Sequence, residues 1–183
     1  MKVIPTHIPD LLIVEPTVFG DERGFFYESF NQHDFNQAIG SQLNFVQDNH
    51  SRSTQGVLRG LHYQLPPRAQ GKLVRCTRGA VWDVAVDIRK SSATFGQWAG
   101  VELSQSNHRQ VWIPPGFAHG FLVLTDIADF LYKTTDYYAP ERDRCIAWDD
   151  PDLKIKWPQV SAELQLSAKD LEGGLLRAAG VFD

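Results

Sequence analysis

AVWDVAVDI (residues 80–88) alternates without a break: Trp82, Val84, Val86 and Ile88 fall on one side of an extended chain, Asp83 and Asp87 on the other. A period of two marks a β-strand, and the valines and tryptophan favour the same conformation. The pattern recurs in both directions from this stretch. Strands are predicted at 11–19, 25–30, 46–50, 57–65, 72–77, 98–103, 110–113, 117–124, 128–138 and 144–148. Turn-forming clusters separate them, among them GDERG (20–24), PPRAQG (66–71), SQSNH (104–108) and APERD (139–143). Helix is expected in two places only. NQHDFNQAIG (31–40) ends on a glycine, and SAELQLSAKDLEG (161–173) spaces Ser167 and Asp170 as a capping box. Many short strands with regular turns predict an all-β chain. A closed barrel or a double-sheet jelly roll with a few short peripheral helices is expected, since both limit exposed strand edges.

No repeat, low-complexity tract or linker interrupts the 183 residues, so a single domain over 1–183 is expected, long enough to bury a substantial core. The net charge of −4 argues against whole-surface attraction to nucleic acid or to an anionic membrane. A bound anion has to be met by a local cationic cluster instead. No apolar run approaches membrane-spanning length. MKVIPTHIPDLL (1–12) is interrupted by Pro5, Pro9 and Asp10 and lacks the apolar stretch of a secretory signal. Cys76 and Cys145 are the only cysteines, which suggests reduced thiols in a cytoplasmic setting; Cys76 reads as core filler.

RGLHYQLPPRAQGKLVRC (59–76) sets Arg59, His62, Lys72 and Arg75 among core-like residues of two strands around a Pro-Pro turn. A metal site, an acid–base site and a solvated sheet face all compete as explanations. PPGFAHGF (114–121) helps to choose, because its Pro-x-Gly-x-x-His shape resembles the second motif of the cupin barrels. On a strand it puts Phe117, His119, Phe121 and Val123 on one face, with His119 looking inward. A lone histidine on an apolar face is more often a hydrogen-bonded core residue than a ligand. Metal-binding cupins usually supply His-x-His and a downstream Glu from their first motif. Here that motif reads His62-Tyr63-Gln64, no acidic residue occurs in 59–76, and Lys72 would oppose a cation. No metal is therefore expected. The charged groups lie in mid-strand among apolar neighbours, which disfavours a solvated face and leaves acid–base chemistry.

RGFFYESF (23–30), VQDNHSRSTQGVLRGLHYQ (46–64), QGKLVRCTRGAVWDVAVDIR (70–89), PPGFAHGF, YKTTDYYAP (132–140) and LSAKD (166–170) together resemble the dTDP-4-dehydrorhamnose 3,5-epimerase family, in order and over nearly the whole chain. That family is cupin-fold and cofactor-independent, and it acts on a dTDP-4-keto-6-deoxy sugar. The resemblance implies His62 as general base, Asp170 as the carboxylate that orients it, Tyr132 as general acid on the other side of the sugar, and Lys72 near the substrate carbonyl. It implies substrate binding by Arg59, His119, Gln47, Asp48, Asn49 and Lys169. Arg23 and Glu28 match positions supplied by the partner subunit of a homodimer. Where the family commonly has Glu in its substrate-binding turn, this chain has Asp143. Phe19, Phe26 and Tyr138 are candidates to line a flat slot for the thymine. An epimerase acting on only carbon 5 or only carbon 3, a metal-dependent cupin enzyme and a non-catalytic sugar-nucleotide-binding barrel are the rival readings.

Taken singly, each residue has a plainer reading. Tyr132 would be a packed barrel tyrosine, Asp170 a helix-cap carboxylate, Lys72 a strand-start charge and Arg23 a turn residue. Their joint occurrence favours the catalytic reading. Strand parity also sets a condition, because Arg59 and His62 fall on opposite faces. If both reach one site, Gly60 must mark a bulge that re-aims the strand.

Overall fold

The computed structural model describes residues Met1 to Asp183. Its strands, in chain order, are β1 (Lys2–Pro5), β2 (Leu12–Glu15), β3 (Phe19–Asp21), β4 (Gly24–Phe26), β5 (Gln47–Thr54), β6 (Leu58–Gln64), β7 (Lys72–Arg78), β8 (Ala80–Asp87), β9 (Trp98–Ser104), β10 (Gln110–Ile113), β11 (Phe117–Val123), β12 (Ile127–Thr134) and β13 (Asp143–Cys145). Two short helices, α1 (Gln32–Ile39) and α2 (Ala168–Leu171), accompany them. Antiparallel pairing builds a six-stranded sheet in the order β1-β2-β10-β7-β12-β5, a five-stranded sheet in the order β13-β6-β11-β8-β9, and a separate β3–β4 hairpin. The fold is all-β and jelly-roll-like, as the strand pattern predicted. No helix is long and apolar enough to cross a membrane.

Alternation along β8 explains how the layers stack. Val84, Val86 and Ile88 point to the outer side of the five-stranded sheet, where Ile146, Leu153 and Leu176 cover them. Val81 and Ala85 point inward and meet Val74, Val111, Ile113 and Phe130 from the other sheet. A third cluster seals the outer side of the six-stranded sheet, with Phe35 of α1 packed on Val14, Leu73 and Trp112. Because both faces of β8 are covered, Asp83 and Asp87 are carried into the interior, where they are 2% and 0% exposed. Both cysteines are free, and Cys76 is buried in the inner cluster as expected.

Several element limits differ from the sequence reading, each for a tertiary reason. The strand expected at 25–30 stops at Phe26, and Phe30 turns away to pack on Phe35 and Phe45. The strand expected over 128–138 leaves its ladder after Thr134. Polar β5 runs on to Thr54 because its register with β12 continues to Ile127↔Thr54. Helix formation within 161–173 is confined to Ala168–Leu171, since the backbone of Gln165 bonds to Gly56 and Leu58 instead. The capping box itself is present: Ser167 Oγ accepts from the Asp170 backbone, and the Asp170 carboxylate accepts from the Ser167 backbone.

The bulge expected at Gly60 is also present. His119 of β11 pairs with His62, and Phe121 pairs with Arg59, so two steps along β11 oppose three along β6. The extra residue reverses the parity, and Arg59 and His62 then line one cavity. Gly60 sits at φ 125°, and a Cβ there would lie 2.5 Å from Gly120 Cα and 2.7 Å from the His119 carbonyl oxygen. Gly60→Ala should therefore cost about 2–4 kcal/mol of stability. Urea unfolding should show this as a lower midpoint at unchanged slope. A wild-type midpoint would mean that the bulge tolerates a side chain.

Candidate active site

A cavity of about 330 Å³ is lined by residues from both sheets. On the five-stranded side, β6 supplies Arg59 and His62, β11 supplies His119 and Phe121, and β13 supplies Asp143. On the six-stranded side, β7 supplies Lys72 and β12 supplies Phe130 and Tyr132. The capped turn of α2 adds Ser167, Lys169 and Asp170. His62 and Tyr132 thus belong to opposite walls.

Asp170 is 3% exposed, and its oxygens are fully engaged. Oδ1 accepts from His62 Nε2 at 2.7 Å and from the Gly60 N–H at 3.0 Å. Oδ2 accepts from the Ser167 N–H at 3.1 Å and from the Ser167 hydroxyl at 2.5 Å. Burial alone would raise the pKa of this carboxyl, but the hydrogen bonds from Ser167 and Gly60, together with the electrostatic pull of His62, outweigh it and hold it below the ordinary value. His62 therefore faces a charged, fixed acceptor. Its Nδ1 has no partner. Burial, assisted by Lys72 and Lys169, lowers the His62 pKa against the opposing pull of Asp170 and Asp143.

Lys72, 9% exposed, donates only to the His62 carbonyl oxygen, at 3.3 Å. Burial lowers its pKa to about 8, although Asp143 and Asp83 oppose the shift. Burial also raises the Tyr132 pKa, which keeps the phenol protonated. The Arg59 guanidinium donates to Ser53 Oγ from Nε at 3.2 Å and from Nη2 at 3.1 Å, and it has no carboxylate partner. The cavity therefore offers two cations with no carboxylate bonded to either.

At the mouth, Lys169 is ion-paired with Asp143, and the Tyr138 hydroxyl donates to Asp143 Oδ2 at 3.2 Å. Three glutamines hold the loop that carries Tyr138. Gln70 Nε2 donates to the Asp136 carbonyl at 2.8 Å, and Gln47 Oε1 accepts from the Tyr138 N–H at 3.1 Å. Gln64 accepts from the Ala139 N–H at 2.8 Å and donates to the Arg68 and Tyr137 carbonyls at 2.7 and 3.2 Å. This clamp is what draws the chain off the β12 ladder after Thr134.

Nine of the residues singled out from sequence thus meet in one cavity: His62, Asp170, Lys72, Tyr132, Arg59, His119, Asp143, Lys169 and Tyr138. Others lie elsewhere. Gln47 is behind the mouth loop, with its amide nitrogen donated to Asn49. Asp48 is exposed and paired with Lys133 at 2.9 Å. With Asn49 and His50 it lines a second cavity of about 180 Å³ that also touches Tyr132 and Lys133. Phe19, Arg23 and Phe26 line a groove on the β3–β4 hairpin, and Glu28 is exposed beyond it. Sequence reasoning gave no site role to Gln64, to Gln70 or to Asp83, whose carboxylate meets His119 Nε2 at 2.8 Å. The acidic side of the AVWDVAVDI alternation was the available signal for Asp83.

His62, Cys145 and Asp170 offer ligand atoms within 4.8 Å of one another. The set does not suit a divalent ion. All the Asp170 lone pairs are already used within the protein, and burial pushes the Cys145 thiol up to about 11, away from the thiolate a metal requires.

Residues 5–178 match the model of the dTDP-4-dehydrorhamnose 3,5-epimerase family. The dTDP-4-dehydrorhamnose 3,5-epimerase of Pseudomonas aeruginosa is 60% identical over 182 residues, spanning 100% of this chain and 99% of that one. Its counterpart in Escherichia coli K12 is 64% identical over 170 residues, spanning 93% and 91%. The crystal structure of a dTDP-6-deoxy-D-glucose-3,5-epimerase from Legionella pneumophila, in complex with dTDP-4-keto-L-rhamnose, superposes with a TM-score of 0.94 at 55% identity, covering 98% of this chain and 94% of that one. With agreement of this extent in sequence and in fold, the chain belongs to the dTDP-4-dehydrorhamnose 3,5-epimerase family of isomerases.

Proposed function

We propose that the cavity converts dTDP-4-dehydro-6-deoxy-D-glucose to dTDP-4-dehydro-L-rhamnose by proton transfer at carbons 3 and 5, without a cofactor. The observation that carries this reading is the pairing of His62 with Asp170 on one wall and Tyr132 on the other, with Lys72 buried in the same cavity. His62 takes the proton alpha to the carbonyl, and the electrons move onto the carbonyl oxygen as an enolate. Tyr132 returns a proton from the opposite face, which inverts the carbon. Imidazole is a weaker base than an enolate by roughly ten pKa units, so unaided proton removal is uphill by about 14 kcal/mol. The ammonium of Lys72 in a water-poor cavity offsets that cost as negative charge develops. Asp170 fixes the His62 tautomer and stabilises the imidazolium. Arg59 and Lys169 suit the diphosphate, and Tyr138 at the mouth suits the thymine.

The hairpin supports a shared site. Phe19, Phe25 and Phe26 are 63%, 64% and 73% exposed on a two-stranded sheet that joins neither main sheet. Such a ribbon is not stable alone in water. A second copy of the chain covers it, and Arg23 and Glu28 reach that copy's site. An Arg23→Ala chain and a His62→Ala chain, each inactive alone, should regain activity when mixed under exchanging conditions, with about one intact site per mixed dimer. Continued inactivity despite demonstrated exchange would rule out shared sites.

NMR of the wild-type reaction in deuterated water should show both carbons inverted and labelled. Tyr132→Phe removes one hydroxyl and should leave His62 and Lys72 able to form the enolate. The variant should exchange the carbon-5 hydrogen while forming little inverted product. Inversion at the wild-type rate would disqualify Tyr132 as the acid.

The pH profile of kcat/KM reports the free protein. His62 must be neutral to accept a proton, so activity rises with pH through its lowered pKa, and the acid limb should lie below the ordinary imidazole value of 6.5. Lys72 must be charged, so activity falls as pH rises past about 8. A flat profile from pH 7 to 10 would exclude a charged Lys72 from the chemistry.

A further inference from the structure

The two carboxylates that β8 carries inward have different surroundings. Asp87 accepts from the Arg89 backbone, from Arg89 Nε and Nη2, and from the hydroxyls of Ser92 and Thr94, all within 3.0 Å. It staples the turn that follows the strand. Asp83 is as deeply placed but has a single hydrogen-bond partner, His119. Its strand neighbours Val81 and Ala85 belong to an apolar cluster in which packing alone does not call for a carboxylate. An ion left with one hydrogen bond in such a place costs stability. Its link to the cavity accounts for its position.

His119 lies directly opposite His62 in the β6–β11 register, and its ring stacks on Phe130 at 6.1 Å with the planes 20° apart. A carboxylate only accepts, so the His119 Nε2 facing Asp83 carries the hydrogen. No protein group bonds its Nδ1. We infer that Asp83 is a positioning residue for the reaction: it fixes the rotation and tautomer of His119 and leaves Nδ1 as the one ring nitrogen free to meet the sugar. This rests on the cavity being the epimerase site proposed above. The arrangement parallels the outer-shell carboxylates that orient functional histidines elsewhere.

The test combines kinetics with imidazole spectroscopy. Asp83→Asn keeps the size of the side chain and removes its charge, and Asp83→Leu serves as a second variant with no acceptor. Each should lower kcat/KM for the 4-keto sugar nucleotide at least tenfold, while the Kd for dTDP, which lacks the sugar, stays within about twofold. Because Asp83 acts through His119, the Asp83→Asn, His119→Ala double variant should be no slower than His119→Ala alone, within about twofold. Nitrogen-15 NMR of the free protein should show His119 protonated on Nε2 in the wild type and a mixed tautomer in both Asp83 variants. A double variant tenfold slower than His119→Ala would overturn the inference, as would a parallel loss of dTDP binding or an unchanged tautomer. Wild-type protein that leaves the 4-keto sugar untouched would instead defeat the epimerase reading, and the tautomer measurement would still decide the role of Asp83.

Discussion

The buried carboxylate of Asp170 joins three parts of the chain that are far apart in sequence. Its four hydrogen bonds close the capping box of α2, hold the bulged backbone at Gly60 and orient His62. The bulge brings Arg59 and His62 to one side of β6, and the cap fixes where Lys169 stands at the cavity mouth. A neutral amide at 170 would accept less and would meet the Ser167 N–H, the Ser167 hydroxyl or the Gly60 N–H with a donor of its own. The positions of His62, Arg59 and Lys169 are therefore coupled. A change at 170 disturbs all of them through geometry as well as charge.

Burial gives the cavity its chemistry. It lowers the pKa of His62 and Lys72 and raises that of Tyr132, so all three move toward their neutral forms. In the reaction proposed above, the neutral form is the one that His62 needs as base and Tyr132 as acid. The same proposal needs Lys72 charged, and Asp143 is the leading charge that opposes its shift and favours the ammonium. The ion pair with Lys169 places Asp143 at the mouth, while Asp83 acts from behind His119.

Much of this was legible in the sequence because strand parity is a geometric rule. The alternation in AVWDVAVDI set the orientation of β8, the face of PPGFAHGF placed His119 inward, and the parity conflict between Arg59 and His62 required the bulge found at Gly60. What stayed hidden depends on contacts between distant segments. Polar β5 has no apolar period over its second half, and only its ladder with β12 makes it a strand. The run 161–167 has helical residues, yet Gln165 bonds to the start of β6. The QDN run at 47–49 gives no sign in the sequence of its partners: Gln47 bonds the mouth loop and Asp48 pairs with Lys133 across the β5–β12 ladder. Asp83 stood in plain view, but alternation alone does not tell a solvated carboxylate from a buried one.

Gln64 shows how one buried amide on a strand sets the shape of the cavity mouth. It occupies the position where a metal-binding cupin of the resembling type would place the second histidine of its first motif. A histidine there would present one ligand nitrogen to the cavity. The glutamine amide has a carbonyl and two N–H groups, and it spends them on the backbone of Arg68, Tyr137 and Ala139. Because Gln64 is 4% exposed, those bonds are shielded from water and hold firmly. The loop they hold carries Tyr138, whose hydroxyl reaches Asp143, and Asp143 in turn holds Lys169. One strand position in the barrel thus determines the order of the mouth through a chain of hydrogen bonds. The same strand, two residues earlier, presents His62, so the imidazole paired with Asp170 and the mouth of the cavity are set by adjacent inward-facing positions of β6.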